Sequence, residues 1–276
     1  AMETIEEEQK LLQELDDKGG EMRVLHDAAD VWTRRKDSDK ALESLRRALA
    51  MAREVGDAEE EVAALRAINN ILMRTDCFLE ALKTSMCERE CQQRVGNKRE
   101  EANACMAISS AQFGLKDRSG ALQAAVQAQE LFHEAGDTHG ESRALASIAR
   151  MQSSKQTTRE ALDAAEERLL VLQELGDEQA QAEALQELAT MHINAGSAAE
   201  AEKFGRDARA LHKAAKRVEG EVEALLLVIQ ALELRATQST AQATATRALG
   251  VANEALSLAG KCKGKALKGQ ALFYHA

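Results

Sequence analysis

Cys87 and Cys91 stand four residues apart, a spacing that on a helix puts two thiols on one face, where they could grip a metal. The remaining cysteines, Cys77, Cys105 and Cys262, complete no CxxC pair, and no His or Cys pair at comparable spacing lies nearby. All five therefore read as small helix-packing residues, with neither a metal nor a structural disulfide expected. The six histidines (His26, His133, His139, His192, His212 and His275) are scattered without a common catalytic partner. His133 and His139 straddle Gly136, where helix-end roles fit, and His192 falls at a position that is elsewhere Trp32 and Leu72, which reads as a packed histidine. The glycines form neither a phosphate-cradling loop nor a nucleophile elbow, so the chain is expected not to be an enzyme and to need no cofactor. The chemistry that remains is recognition. Arg66, Asn70 and Arg74 set two guanidinium groups around an amide, a combination suited to carboxylates and peptide backbone.

The elements that must position these residues are helices. Of the 276 residues 45% are hydrophobic, yet only 3% are aromatic and none is proline. Ala, Leu, Glu, Gln and Arg dominate, all good helix formers, while strand-favouring residues are sparse. The expected class is all-α. The net charge of −10 argues against nucleic acid, because phosphate neutralisation needs a clustered basic surface. No run approaches the roughly 20 apolar residues of a membrane span, and the start AMETIEEEQK is acidic where a signal peptide would be basic and then apolar. A soluble, cytoplasmic protein is expected.

A forty-residue cadence organises the chain. EVGDAEEEVAALRAI from Glu54 returns as RVGNKREEANACMAI from Arg94, EAGDTHGESRALASI from Glu134 and ELGDEQAQAEALQEL from Glu174. Gly56, Gly96, Gly136 and Gly176 are each followed by Asp or Asn, a helix-stopping residue and then a helix-starting cap. Two columns stay apolar throughout: Leu25, Leu65, Cys105, Leu145, Leu185 and Leu225, and Ala28, Ile68, Ile108, Ile148, Leu188 and Val228. Ala41-Leu42 recurs at 81, 121 and 161, and Val55, Val95, Ala135, Leu175 and Ala215 form a further apolar column before the Gly position. Each unit thus predicts two amphipathic helices, an A helix such as 58–74 and a B helix such as 78–95. One hairpin cannot bury its apolar faces alone, so neighbours must stack.

LATMHINAGSAAEAE from Leu188 and AINNILMRTDCFLEAL from Ala67 resemble tetratricopeptide repeats, in the long forty-residue variety of Pins and kinesin light chains. The chain departs from that pattern where the small residue of the B helix becomes Glu88 or Arg168. The resemblance implies a right-handed α-solenoid of antiparallel helix pairs, a single domain spanning 1–276. Six pairs (17–56, 57–96, 97–136, 137–176, 177–216 and 217–260) lie between a B-type helix at 1–16 and an A-type helix at 261–276. Beginning and ending in mid-repeat, the sequence reads as a piece of a longer array. The sixth unit is four residues longer, around RATQSTAQATATRA from Arg235 to Ala248. It reads as a longer helix or loop, the alternative being a partner contact or phosphorylation site at Thr237, Ser239 or Thr240.

The resemblance also implies that A helices line the inner wall. The peptide-binding candidates there are Arg23, Arg34, Arg66, Asn70, Met73, Arg74, Asn103, Met106, Ser110, Phe113, Arg143 and Arg150, with His26 and Asp30 beside them in the first unit. Glu183, Glu187, Glu223 and Glu233 follow in the last two units, so the groove is expected to favour an acidic segment toward its amino-terminal half. The expected function is an adaptor that binds a partner peptide or helix, with no nucleic acid or membrane partner. The alternatives are a structural spacer or oligomerisation segment, and regulatory repeats of a larger protein.

Overall fold

A computed structural model describes residues 2–152, 158–238, 242–261 and 265–275. The described residues form helices with no strand, and their packing clusters into two units, Ala1–Gly140 and Glu141–Ala276. Unit 1 holds α1 (Met2–Glu14), α2 (Lys18–Arg34), α3 (Ser38–Val55), α4 (Ala58–Arg74), α5 (Phe78–Val95), α6 (Lys98–Gly114) and α7 (Arg118–Glu134). The first residues of α8 (Thr138–Gln152) precede the division. Unit 2 continues with α9 (Arg159–Leu175), α10 (Glu178–Asn194), α11 (Ala198–Ala214), α12 (Val218–Gln238), α13 (Gln242–Ala259) and α14 (Lys265–His275). From α1 to α7 and from α9 to α14 successive helices pack on one another, and the A helices α2 and α4, α10 and α12, and α12 and α14 also touch. No described helix is long and apolar enough to cross a membrane.

The glycine–aspartate pairs do what their chemistry dictates. Gly56, Gly96 and Gly176 end their helices at φ 78°, 75° and 67°, left-handed backbone that a Cβ would oppose. Asp57 then accepts from the backbone N–H groups of Glu59 and Glu60, Asn97 from Glu100, and Asp177 from Ala180. The A-to-B turns use the same device with a different stop residue. Lys36, Asp76 and Lys116 take φ 63°, 57° and 63°, and Asp37 and Asp117 cap the helices that follow.

Both apolar columns form the core. Leu25, Leu65, Cys105, Leu145, Leu185 and Leu225 are all buried, as are Ala28, Ile68, Ile108, Ile148, Leu188 and Val228. Each fully buried large aliphatic side chain among them contributes about 1.5–3 kcal/mol. The third apolar column does not join them. Val55 and Val95 are more than half exposed, and Leu175, Ala135 and Ala215 face solvent as well. The helix ends there, and the buried position is three residues earlier, at Ala52, Gln92, Phe132, Leu172 and His212.

The extra four residues of the last pair lengthen a helix: α12 has 21 residues against 17 in α4, α6 and α10. Arg235 on this added stretch donates to Glu202, which stands where Leu42, Leu82, Leu122 and Leu162 stand in the other units. Arg206 and Arg247 reach the same buried carboxylate at 2.7 and 2.5 Å. Thr237 Oγ1 donates to the Leu234 carbonyl. Ser239, Thr240 and Cys262 lie outside the described residues.

Candidate functional site

In unit 1 the A helices α2 and α4 frame a cavity of about 230 Å³. Ala29, Leu45, Ala67 and Ile71 supply its apolar lining, and His26, Asp30, Thr33, Asn70 and Arg74 its polar atoms. Asp30, Asn70 and Arg74 are exposed, while His26 Nε2 lies 2.8 Å from Glu60 Oε1. Asn70 and Arg74 share this shelf because they are one helical turn apart on α4.

Arg66, one turn earlier, is engaged inside the chain. Its Nε donates to Glu88 Oε1 at 3.0 Å and its Nη2 to Glu100 Oε2 at 2.5 Å. Glu88 is 2% exposed at a position that is Ala48, Ala128 and Ala208 in other repeats, and burial pushes its carboxyl up against the opposing pull of Arg66. Asn103 Nδ2 donates to the other oxygen of Glu100. The departure at Arg168 is answered in the same way, by Glu187 at 2.7 Å. Met73 and Met106 are half-buried. Ser110 Oγ donates to the Met106 carbonyl, and Phe113, Arg23 and Arg34 are exposed.

Unit 2 repeats the shelf. Ala149 and Arg150 on α8 and Glu187, Thr190, Met191 and Asn194 on α10 line a cavity of about 290 Å³. These six are the register equivalents, three repeats on, of Ala29, Asp30, Ala67, Asn70, Ile71 and Arg74. Arg150 also reaches the Ser147 hydroxyl, and Arg143 is exposed. Thr190, Met191 and Asn194 were not among the expected site residues, although the forty-residue register carries them directly from Asn70, Ile71 and Arg74.

The cysteines divide by environment. Cys91 and Cys105 are buried, Cys87 is half-buried and Cys77 is exposed at the start of α5, so the packing role does not extend to Cys77. Cys91 Sγ accepts from Arg94 at 2.9 Å, and burial pushes its thiol up. His192 packs as expected, 7% exposed and stacked on Phe204 with ring centroids 5.2 Å apart.

No family model matches the sequence, and no curated protein sequence matches it. Solved structures match over most of its length. One is a signal-transduction ATPase with a tetratricopeptide repeat sensor from Pyrococcus horikoshii, at TM-score 0.70 and 14% identity over 97% of this chain. The chain spans 39% of that protein. A putative kinesin light chain from Podosopora anserina with nearly identical TPR-like repeats matches at TM-score 0.58 and 11% identity, covering 74% of this chain and 97% of that one. The fold is that of tetratricopeptide repeats. A Rap protein solved in complex with Competence and Sporulation Factor has the same repeat architecture at TM-score 0.54 and 11% identity, over 93% of this chain and 73% of its own. In tetratricopeptide terms the two shelves lie between consecutive A helices, α2 and α4 in one unit and α8 and α10 in the other.

Proposed function

We propose that the protein is a non-enzymatic interaction scaffold that holds a partner peptide or helix on its A-helix face, with Asn70 and Arg74 engaging an acidic segment. What carries the reading is the recurrence of one shelf at identical register in both units, apolar at its base and polar at its rim. Such sites bury apolar anchors and orient the ligand with a few polar groups. The Rap protein, held in complex with a factor on a similar fold, supports a binding role of this kind. Arg66 acts here as a fixed strut, so an incoming carboxylate is received by Arg74.

Replacing Arg74 with Glu reverses one exposed charge without touching the core. An exposed pair contributes about 0.2–1 kcal/mol, so affinity for acidic peptides on an array should fall by up to about fivefold, and further where Arg74 grips a carboxylate bidentately. Added salt should weaken wild-type binding, since the screening length shrinks to roughly 3 Å at 1 M. Equal binding of acidic peptides by folded wild-type and Arg74→Glu proteins would overturn the reading and leave a spacer role in its place.

A further inference from the structure

On the B-helix side of unit 2, α11 and α13 both pack on α12 and leave a groove of about 340 Å³, within the size range of ligand sites, roughly 300–1,000 Å³. Leu225 and Val228 of α12 close its floor, and Ala210 and Val251 add apolar surface at its sides. One wall is a row of cations, Arg206, Arg209 and Lys213, which share a face of α11 and span about 10 Å along it. No other B helix of the sequence carries three cations in this register. Met86, Arg89 and Gln93 stand there on α5, and Arg46, Leu49 and Arg53 on α3, where Glu80 and Glu61 hold the two arginines. Packing of the repeat therefore does not demand the row.

The acids around the groove are already covered. Glu202 meets Arg206, Arg235 and Arg247 at 2.7, 3.2 and 2.5 Å, three guanidiniums for one carboxylate. Arg209 Nε donates to Glu221 at 3.3 Å and its Nη2 to Glu254. Lys213 is exposed and has no hydrogen-bond or ion-pair partner among the described residues. Five cations thus face three carboxylates, which leaves two positive charges over in a chain of net charge −10. Asp207, the next acid on α11, holds the register of Gln127, which faces the preceding B helix. The accessible ends of the row are Arg206 and Lys213. The Arg206 side chain is 54% exposed, and its Nη2 contact with Glu202 leaves most of the guanidinium's N–H donors unspent.

We propose that this groove docks an extended segment of a partner protein in which a leucine-sized side chain lies between two carboxylates three positions apart. Three residues of extended chain cover about 10 Å, the span from position 206 to position 213, so one carboxylate meets Arg206 and the other Lys213. The apolar side chain between them rests on Ala210, Val251 and the methylene stems of the two cations. Arg209, held by Glu221 and Glu254, fixes the wall between those ends. A flat anionic membrane would meet the cations but make no use of the recessed apolar surface. The groove lies on other helices than the Asn70 and Arg74 shelf and stands or falls separately from it.

The test is a methyl NMR titration that follows Val228 and Val251 with an acetylated, amidated Ala-Glu-Leu-Ala-Glu-Ala peptide. Parallel arms replace both Glu residues with Gln, or the Leu with Ala, and a sedimentation arm uses vesicles containing phosphatidylserine. Shifts should centre on Val251 and Val228, the Gln and Ala peptides should bind at least about fivefold more weakly, and the vesicles should not carry the protein down. Arg206→Gln and Lys213→Gln, both at exposed positions, should each weaken peptide binding about threefold to fivefold while circular dichroism stays helical. Arg74→Glu should leave these shifts unchanged. Absence of shifts at both methyls in the wild-type protein would overturn the proposal whether or not the variants fold. So would equal binding of the Gln or Ala peptide, affinity unaffected by both substitutions, or loss of the shifts in folded Arg74→Glu, which would assign the peptide to the shelf. Vesicle binding that Arg206→Gln and Lys213→Gln abolish would overturn it too, and make the row a membrane contact.

Discussion

Gly140→Ala should destabilise the wild-type protein by about 1–3 kcal/mol, the usual cost of overpacking, and stabilise a Phe132→Ala variant. Phe132 is fully buried at the end of α7, and a Cβ on Gly140 would lie 2.3 Å from its Cδ1 and 2.5 Å from its Cε1. The ring fits because the next helix offers no side chain there. Phe132→Ala alone should cost about 3–5 kcal/mol, transfer plus cavity. Once the ring is gone the methyl group added by Gly140→Ala no longer meets it, and the helix preference of Ala over Gly, up to about 1 kcal/mol, decides the sign. The repeats already contain both solutions. His212 and Leu12 face Gly220 and Gly20 with similar close approaches, whereas Ala52 is followed eight residues later by Glu60. Urea unfolding of the wild type, both single variants and the double variant measures the coupling directly. Additive effects, or a Gly140→Ala change of the same sign in both backgrounds, would sink the argument.

That pairing was present in the sequence as an eight-residue offset, but neither residue signals it alone. What sequence periodicity carried well was local: the stop–start glycine–aspartate pairs, the bounds of α4 and α5, and the two apolar columns all depend on residues within a turn or two of each other. Asn70 and Arg74 were likewise legible together because helical spacing fixes their common face. Arg66 was not, because its two carboxylate partners lie 22 and 34 residues away on other helices, and a charge pattern read along one helix does not report such pairing. Val55 and Val95 misled for a related reason. An apolar residue just before a left-handed glycine looks like core by composition, yet the last turn has already left the interface. Position 88 looked like a defect in the repeat, and its physical meaning, a buried carboxylate held by Arg66, emerged only with the neighbouring helices in place.

Lowering the pH from about 7.5 to 5.5 should destabilise unit 2, and the double substitution His192→Leu with His212→Phe should remove most of that dependence. Both rings are almost fully buried. Burial lowers the pKa of His192 despite the opposing influence of Glu200 and Glu166. It does the same for His212, aided by Arg217 and opposed by Glu223, Glu183 and Glu221. A histidine with a depressed folded pKa stays neutral in the fold while the unfolded chain takes up a proton near the ordinary value of about 6.5. The unfolded state then binds more protons, so stability is fully present above about pH 6.5 and falls as the pH drops below it, by at most about 1.4 kcal/mol per pH unit for each histidine. The carboxylates act elsewhere on the scale. Glu61 is held below its ordinary value of 4.5 despite its burial, by Arg53 above all, and loses its contribution only below that value. Glu88, pushed up by burial, takes its proton in the fold first and so opposes the histidine trend. Leu at position 192 follows Leu72 and Leu232 in register, and Phe at 212 reproduces Phe132 against its glycine, so both replacements use side chains this repeat already packs. Urea midpoints at pH 7.5, 6.5 and 5.5 settle the matter. A flat wild-type profile, or an equally steep one in the folded double variant, would show that these two histidines do not carry the acid sensitivity of the fold.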